Sequence, residues 1–383
     1  MTTPSRWDIF CSVIDNFGDI GVCWRLARQL VNEHGLQVRL WVDDLASFRR
    51  MAPIDPARDV QWLLGVEVRH WTKPFPELAV EEIPDVVIEA FACPLPESYE
   101  HMMAQKTPQP FWINLEHLSA EEWVEGYHTL TSPHPRLPLT KHFFFPGFTP
   151  ATGGLLRESD LLEQVHAFQS DNAAQETFWS SLGVPARSEG ESRISLFAYG
   201  SRDLAGLLYS WRDGDTPILC LVPEGALATA VARELGHPPV KAHQTFSRGK
   251  LRVHVFPFLD QAAYDRLLWA CDINFVRGED SFVRAQWAMR PMVWQPYRQE
   301  EQHHDVKLEA FLDKYRTGLP PAAELALVNL WQAWNREEGV AGTWEPFLTE
   351  RQELTSHAQR WAEGLATHPD LATNLVHFAQ KPL

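Results

Sequence analysis

The apolar run Ile9-Phe-Cys-Ser-Val13 leads directly into the polar segment Ile14-Asp-Asn-Phe-Gly-Asp-Ile-Gly21. A helical pattern follows from Gly21 to Glu33, and a second apolar run lies at Val38-Arg-Leu-Trp-Val42. The apolar positions of the helical pattern recur at intervals of four residues: Val22, Leu26, Leu30. A strand, a crossover helix and a second strand in this order predict a parallel βαβ unit.

The same alternation of apolar runs and helical patterns continues along most of the chain. The further strand-like runs are Val86 to Ala90, Phe111 to Leu115, Ile194 to Tyr199, Pro217 to Val222, Leu251 to Phe256, Ile273 to Val276 and Pro291 to Trp294. From Pro321 onward the periodicity is helical, through Leu325 to Trp334, Trp344 to Ala366 and Leu371 to Phe378. We therefore predict an α/β protein with two Rossmann-like domains whose sheets face a substrate cleft.

Length and turn signals set the expected domain boundaries. A chain of 383 residues favours two domains. Turn residues cluster around Pro146 to Gly154, and polar helical material follows to about Glu191. We expect a first domain over residues 1–150, a connecting region over 151–191 and a second domain over 192–359.

Composition limits the classes of function. The net charge of −16 argues against binding to a nucleic-acid backbone. An acidic chain fits a basic protein partner, although acidity also serves solubility alone. The five cysteines show no paired spacing, which predicts buried free thiols, and the 16 dispersed tryptophans are interpreted as packing residues. No signal segment or long apolar run occurs, so we expect a cytoplasmic protein that does not span a membrane.

A candidate anion site lies at Arg277-Gly-Glu-Asp-Ser-Phe-Val-Arg-Ala-Gln286, after the apolar run Ile273 to Val276. The pattern predicts a strand, a turn and a helix N-terminus, where backbone N–H groups and the helix dipole attract anions. Ser281 is expected to cap this helix, and Arg277 adds a positive charge. The segment indicates a diphosphate site, or else an ordinary capped helix.

The loop Ile14 to Gly21 is the second candidate site. Gly18 and Gly21 are expected to let the backbone turn tightly, and Asp15 and Asp19 place two carboxylates at the cleft. Carboxylates repel a diphosphate, so the loop suits a cationic acceptor or base catalysis. Each aspartate alone is more often a turn or cap residue, and the two together favour function. A G-x-G-x-x-G fingerprint is absent. Only the pair Asp43-Asp44, near the end of the second strand, keeps an NAD-dependent dehydrogenase as an alternative.

Four segments together resemble the EarP family of protein-arginine rhamnosyltransferases, which modify bacterial elongation factor P. These segments are Ile14 to Gly21, Ile88-Glu-Ala-Phe-Ala-Cys93, Gly153-Gly-Leu155 and Arg277 to Gln286. The resemblance spans nearly the whole chain. It implies a GT-B fold in which the first domain receives elongation factor P, the second binds dTDP-β-L-rhamnose, and a C-terminal helix at about 360–383 completes the first domain.

The resemblance also implies roles for individual residues. Asp19 is expected to be the catalytic base, and Asp15 is expected to hold the acceptor guanidinium. The remaining candidates are the loop residues Asn16, Phe17, Gly18 and Gly21, the diphosphate and sugar contacts Tyr199, Arg277, Glu279, Asp280 and Ser281, and the thymine contacts Phe258 and Gln261. Without the resemblance, a phenylalanine at the end of a strand, such as Phe258, is more often a core residue than one that stacks on a base, and periodicity does not decide between them. The implied reaction activates elongation factor P for translation of polyproline stretches.

The chemistry of arginine explains why paired carboxylates suit this reaction. A guanidinium has a pKa of roughly 12.5 to 13.8, so full deprotonation by an ordinary aspartate is too costly as a separate step. Proton transfer should accompany attack, and a single displacement inverts the anomeric centre. No metal or cofactor is expected: a metal site at His303-His304-Asp305 is less favoured than a solvated face, although His304 and Lys307 are candidates to reach the donor. A non-catalytic, nucleotide-sugar-regulated partner of a translation factor is the other alternative.

Overall fold

The computed structural model describes residues 5–15, 17–297 and 303–380. The chain divides into two compact units, Met1–Ser159 with Leu365–Leu383, and Asp160–Gly364. The boundary between the units follows Ser159, inside the expected connecting region 151–191. The two helices in the later part of that region, within residues 161–181, pack in the second unit. No helix of the described ranges is long and apolar enough to cross a membrane.

The first unit is built on one eight-stranded sheet. Its strands are β1 (Arg6–Cys11), β2 (Gln37–Val42), β3 (Val60–Leu63), β4 (Val66–His70), β5 (Val86–Ala90), β6 (Phe111–Leu115), β7 (Thr131–Pro133) and β8 (Thr140–Phe144). Its helices are α1 (Gly18–His34), α2 (Leu45–Met51), α3 (Glu97–Gln105), α4 (Trp123–Tyr127) and, from the C-terminus, α15 (Leu371–Ala379). The strand order is β3-β4-β2-β1-β5-β6-β8-β7, with parallel pairing except for β3 and β7 at the edges.

The central strands of this sheet are buried on both faces. One face packs against α1 and α15, with Ile9, Leu26 and Leu375 in one apolar cluster. The other face carries a buried ion pair in which Asp8 accepts two hydrogen bonds from Arg39, at 2.9 and 2.6 Å. A buried charge is tolerated when it is paired and hydrogen-bonded, so this pair is compatible with the aromatic core around it.

The segment Gly153-Gly-Leu155 holds α15 in the first unit. Leu371 N–H donates to the Leu155 carbonyl at 2.9 Å, and the Asn374 amide donates to the Gly153 carbonyl at 3.0 Å. A Cβ at Gly153 would lie 2.3 Å from Phe144, so a larger residue does not fit there. This motif therefore has a packing role in the structure.

The second unit contains a six-stranded sheet. Its strands are β9 (Ser192–Leu196), β10 (Ile218–Pro223), β11 (Gln244–Arg248), β12 (Leu251–Phe256), β13 (Ile273–Arg277) and β14 (Met292–Gln295). Its helices are α5 (Leu161–Ser170), α6 (Asn172–Ser181), α7 (Leu204–Asp213), α8 (Ala226–Glu234), α9 (Gln261–Ala270), α10 (Asp280–Trp287), α11 (His303–Tyr315), α12 (Pro321–Arg336), α13 (Ala341–Thr349) and α14 (Arg351–Ala366). The order is β11-β12-β10-β9-β13-β14, with only β11 antiparallel to its neighbour.

The predicted α/β organisation is confirmed in both units. The five cysteines are buried free thiols, as predicted. The predicted helical stretch from Trp344 to Ala366 is two helices, α13 and α14, which meet at Glu350. Most of the tryptophans pack internally, but Trp62 and Trp123 are exposed.

Candidate active site

In the first sheet, β1 lies between β2 and β5, and this is where the strand order changes direction. Ligands of open α/β sheets bind outside the carboxyl ends of the strands at this point. The loop from Ser12 to Phe17, which joins β1 to α1, begins there. The sheet topology alone therefore marks this loop as a candidate site.

Asp19 stands in the first turn of α1, and its side chain closes the loop that precedes the helix. Its Oδ2 atom accepts hydrogen bonds from the backbone N–H groups of Ile14 and Asp15, both at 2.9 Å. No described residue donates a hydrogen bond to Oδ1. One carboxylate oxygen thus holds the loop, and the other, which has no donor among the described residues, is placed to accept a proton.

Burial raises the pKa of Asp19 above the ordinary value for aspartate, and this desolvation is the largest influence on it. The two backbone N–H groups and the charge of His117 lower the pKa, while the Asp15 carboxylate raises it. A carboxylate with a raised pKa is a stronger base. The position of Asp19 is therefore suited to accepting a proton.

This raised pKa predicts the pH dependence of catalysis. With Asp19 as the base that the family resemblance implies, kcat/KM should fall as pH drops through its raised pKa, above the ordinary value of about 3.9, because only the ionised carboxylate accepts a proton. In the kcat profile the same limb should lie at lower pH, because a bound cation favours the ionised carboxylate. Measuring both profiles tests this; an acid limb of kcat/KM at the ordinary carboxylate pKa would contradict it.

The other residues of the loop are arranged around the start of α1. Gly18 N–H donates to the Asp15 carbonyl at 2.6 Å, so the chain turns tightly into α1 at Gly18, whereas Gly21 lies within the helix. A Cβ at Gly18 would lie 2.8 Å from Asp15 Oδ2, so a larger residue there would require the Asp15 side chain to move. Phe17 is the N-cap residue, and Asn16 lies outside the described residues. The carboxylate of Asp15 is thereby packed close to the positive end of the helix dipole.

Asp43, at the end of β2, supports the same loop. Its carboxylate accepts hydrogen bonds from the Ser12 hydroxyl at 2.6 Å and from Val13 N–H at 2.9 Å. Asp44 caps α2 by accepting from Ser47 N–H at 3.0 Å. Both carboxylates thus have structural hydrogen bonds within the chain and do not require a ribose as their partner. The acidic pair was the feature that kept a dehydrogenase as an alternative, and it has a structural role here.

The turn Ile88 to Cys93 lies beside the loop, at the carboxyl end of β5. Phe91 and Ala92 both have the left-handed backbone conformation that non-glycine residues rarely adopt, with φ of 57° and 54°. The Phe91 ring stacks on His117 with centroids 4.3 Å apart, and His117 follows β6. Backbone strain of this kind persists where surrounding structure enforces it, often at functional sites.

In the second unit, Arg277 lies at the corresponding change of strand direction, between β9 and β14 at the end of β13. Its guanidinium packs 4.4 Å from the ring centroids of both Phe197 and Tyr199. Its Nη1 donates to the Ala198 carbonyl at 3.3 Å. Two aromatic rings and one carbonyl therefore fix the position of a positive charge at this edge of the sheet.

The turn that follows Arg277 differs from the predicted cap. Ser281 does not cap α10; its hydroxyl donates to the Arg277 carbonyl at 2.5 Å and accepts from Arg277 N–H at 3.1 Å. The N-cap position belongs to Glu279, so Ser281 lies too far inside the helix and reaches backward instead. Gly278 makes this turn with a φ of 61°. Ser281 therefore holds the backbone of Arg277 rather than the helix end.

Sequence reasoning missed Gln295, a buried residue at the end of β14. Its Oε1 accepts from Tyr199 N–H at 2.9 Å, and its Nε2 donates to the Gly200 carbonyl at 3.0 Å. Gln295 thus positions the loop that carries Tyr199. Its position at the carboxyl end of a strand was the only signal in the sequence. The order of the strands in the sheet is needed to see that it reaches the loop after β9.

Replacing Gln295 with leucine should leave the backbone groups of this loop without partners. We expect the free energy of unfolding to fall by about 1–3 kcal/mol, the usual cost of unpaired buried polar groups. Under the donor-contact role that the resemblance implies for Tyr199, donor affinity should also fall, because Tyr199 loses its support. The matched control for stability is Asn335→Leu, which removes the hydrogen bonds that the Asn335 side-chain amide donates to the Trp294 and Trp331 carbonyls. Equal donor affinity in the two variants, measured by calorimetry, would contradict the positioning role.

The remaining donor candidates lie at the carboxyl edge of the same sheet. Glu279 and Asp280 begin α10 beside Arg277. Phe258 follows β12 and is 41% exposed, so its interpretation as a core residue is wrong, whereas Gln261 is buried at the start of α9.

The candidate metal ligands considered from the sequence, His303, His304 and Asp305, lie at the start of α11. Within the described ranges, no group of three or more His, Cys, Asp or Glu side chains is placed to hold a metal ion. His304 and Lys307 lie on α11, where His304 Nε2 is 3.7 Å from Asp305; the side chain of His303 lies outside the described part of the chain.

Comparison with known proteins gives a consistent result. The model of the family described as Elongation-Factor P (EF-P) rhamnosyltransferase EarP matches residues 7–380. Protein-arginine rhamnosyltransferase of Pseudomonas aeruginosa is 52% identical over 98% of both chains, and that of Pseudomonas putida is 50% identical over 99% of this chain and 100% of its own. A structure from work on EarP-mediated arginine glycosylation of translation elongation factor EF-P is 39% identical, with a TM-score of 0.70 over 99% of this chain and 100% of that chain. The Acinetobacter baumannii glycosyltransferase MurG shares the GT-B fold, with a TM-score of 0.51, 12% identity and coverage of 99% and 100%.

Proposed function

The chain belongs to the EarP family of elongation factor P rhamnosyltransferases, and from this premise we propose that it transfers L-rhamnose from dTDP-β-L-rhamnose to an arginine side chain of translation elongation factor P. The modification activates elongation factor P for translation of polyproline stretches. The observation that carries the proposal is the geometry of Asp19, a buried carboxylate with one oxygen that holds the loop and one that has no donor among the described residues.

The acceptor arginine binds at Asp15 and Asp19. Two carboxylates beside a helix N-terminus match the positive charge and the planar, fork-shaped donors of a guanidinium. They orient one guanidinium nitrogen for attack on the anomeric carbon, and Asp19 accepts the proton as the new bond forms. Concerted transfer avoids the roughly 12 kcal/mol that a separate deprotonation by an aspartate of ordinary pKa would require.

The donor diphosphate binds at Arg277 and the N-terminus of α10. As the glycosidic bond to the diphosphate breaks, negative charge grows on the leaving oxygen. The Arg277 guanidinium, which packs on the Phe197 and Tyr199 rings, stabilises that charge without rearranging. The positive end of the α10 helix dipole stabilises it in the same way. The fixed geometry of Arg277 supports this assignment. Phe258 and Gln261 are proposed to contact the thymine base.

The reaction is proposed to be a single inverting displacement that requires no metal. The nitrogen attacks the face opposite the leaving diphosphate, so a β-linked donor gives an α-linked product. The one-bond C1–H1 coupling of the product, measured by NMR, tests the configuration; a β-linked product would show retention and contradict the single displacement. Transfer should continue at an unchanged rate in excess EDTA, and loss of activity that added metal restores would refute metal independence.

A further inference from the structure

An exposed aromatic patch lies on the first unit, formed by Trp123, Tyr127 and Leu130. These side chains are 49%, 56% and 49% exposed. Trp123 and Tyr127 are one helical turn apart on α4, and Leu130 follows the helix before the edge strand β7. Clustered large apolar side chains at a protein surface are typical of binding sites for other proteins.

The patch is held rigidly although it is exposed. The Trp123 indole donates to Glu121 Oε1 at 2.9 Å, and its ring meets Tyr127 and Phe145 edge to face, each at 5.5 Å. Thr129, just before Leu130, has a strained φ of 68° and donates its N–H to the Phe143 carbonyl at 2.7 Å. Preorganised aromatic side chains lose little entropy on binding, which makes them effective interface anchors.

Acidic side chains surround the patch. Glu121, Glu122 and Glu125 stand on or directly before α4. Glu125 also accepts a hydrogen bond from the Thr149 hydroxyl at 2.9 Å, which fixes its carboxylate near the helix. An apolar centre with a negative rim is complementary to a protein surface that presents apolar contacts between lysine and arginine side chains.

The patch is continuous along the chain with the proposed acceptor site. The connection that leaves the carboxyl end of β6 begins with Glu116 and His117 and leads directly into α4. His117 stacks on Phe91, and its charge acts on Asp19. The connection between β6 and β7 therefore carries both a neighbour of the proposed base and the aromatic patch.

We propose that the aromatic patch is the surface on which the acceptor protein docks, with basic side chains of the acceptor meeting Glu121, Glu122 and Glu125. The inference rests on the proposed function and extends it. Asp15 and Asp19 recognise a guanidinium, which every arginine-containing protein offers, so selection of one protein requires contacts beyond the modified residue. Trp123 and Tyr127 supply those contacts, and they act on acceptor binding and not on the chemical step.

Steady-state transfer to elongation factor P tests this with the double variant Trp123→Ala, Tyr127→Ala. Loss of two anchor side chains should raise KM for elongation factor P about tenfold or more, whereas kcat at saturating acceptor and the Kd of dTDP-L-rhamnose stay unchanged. The matched control is Trp62→Ala, on the opposite edge strand β3, where the indole is 67% exposed. This control should retain the wild-type KM.

The possible outcomes separate docking from the reaction itself. Absence of transfer by the wild-type chain would refute the proposed function. Normal transfer with an unchanged KM in the double variant would overturn docking alone, as would an equal rise in KM for Trp62→Ala. Sedimentation analysis gives a further outcome: a change in self-association with an unchanged KM would assign the patch to a second copy of the chain and overturn the proposal.

The acidic rim provides a second measurement. Glu122→Lys should lower kcat/KM for elongation factor P more than Glu122→Gln does, and the difference should shrink at high ionic strength because salt screens exposed charges. Equal values for the two variants at low salt would contradict a basic partner surface. Thermal unfolding of each variant shows whether its fold is intact.

Discussion

Replacing Asp19 with asparagine should lower kcat for rhamnosyl transfer about 10³-fold, within the 10²–10⁴ range of general bases. Asparagine keeps an oxygen that can accept the hydrogen bonds from Ile14 and Asp15 N–H, so the loop should keep its shape. The amide nitrogen then occupies the position of Oδ1, where it cannot accept a proton and faces the guanidinium with N–H groups. Single-turnover kinetics at saturating acceptor measure the chemical step directly.

The matched control for this change is Asp43→Asn. Asp43 accepts from Ser12 and Val13 in the same loop but has no assigned role in proton transfer. Donor affinity, measured by calorimetry, should be unchanged in both variants. A chemical step in Asp19→Asn within about tenfold of wild type would fall below the usual contribution of a base and remove that role from Asp19.

Replacing Arg277 with alanine should lower kcat/KM for the donor by about 10²–10³-fold, the usual effect of removing one preorganised group that stabilises transition-state charge. Arg277→Lys should recover only part of this loss. Lysine keeps the charge but cannot stack its headgroup as a plane between Phe197 and Tyr199 or reproduce the bond to the Ala198 carbonyl. Initial-rate measurements over a range of donor concentrations give the comparison.

Arg233→Ala is the matched control for the loss of a positive charge from the second unit. Arg233 lies on α8, is largely exposed and pairs with Glu234. Wild-type kinetics are expected for this control. If Arg277→Ala also kept its kcat/KM for the donor, the diphosphate would not bind where we place it.

The central parallel strands were predictable because their burial produces continuous apolar runs. The runs Val86 to Ala90, Phe111 to Leu115 and Leu251 to Phe256 coincide with β5, β6 and β12. The partly exposed strands β3, β4, β7, β8 and β11, at or next to the sheet edges, were not recognised because they lack such runs. The stretch from Trp344 to Ala366 reads as one helix because both α13 and α14 are amphipathic, and periodicity does not reveal the break between them.

The candidate site was predictable only where its residues are close in sequence. The loop around Asp15 and Asp19 and the turn after Arg277 are local signals, because glycine and acidic residues cluster directly after apolar runs. Phe197, Gln295 and Asp43 reach these segments only because their strands are neighbours in the sheets. Strand order is set by tertiary pairing, so these contacts required the structure. Ser281 shows a further limit: its distance from the helix start decides whether its hydroxyl caps the helix or bonds backward.

Intact-mass analysis of elongation factor P, after incubation with the chain and dTDP-L-rhamnose, tests the proposed transfer most directly. Peptide mapping of the product then locates the modification. We expect a mass gain equal to one deoxyhexose residue, located on a single arginine and absent when Asp19→Asn replaces the wild-type chain. No mass gain despite donor binding confirmed by calorimetry, or a sugar on a residue other than arginine, would contradict the proposed function.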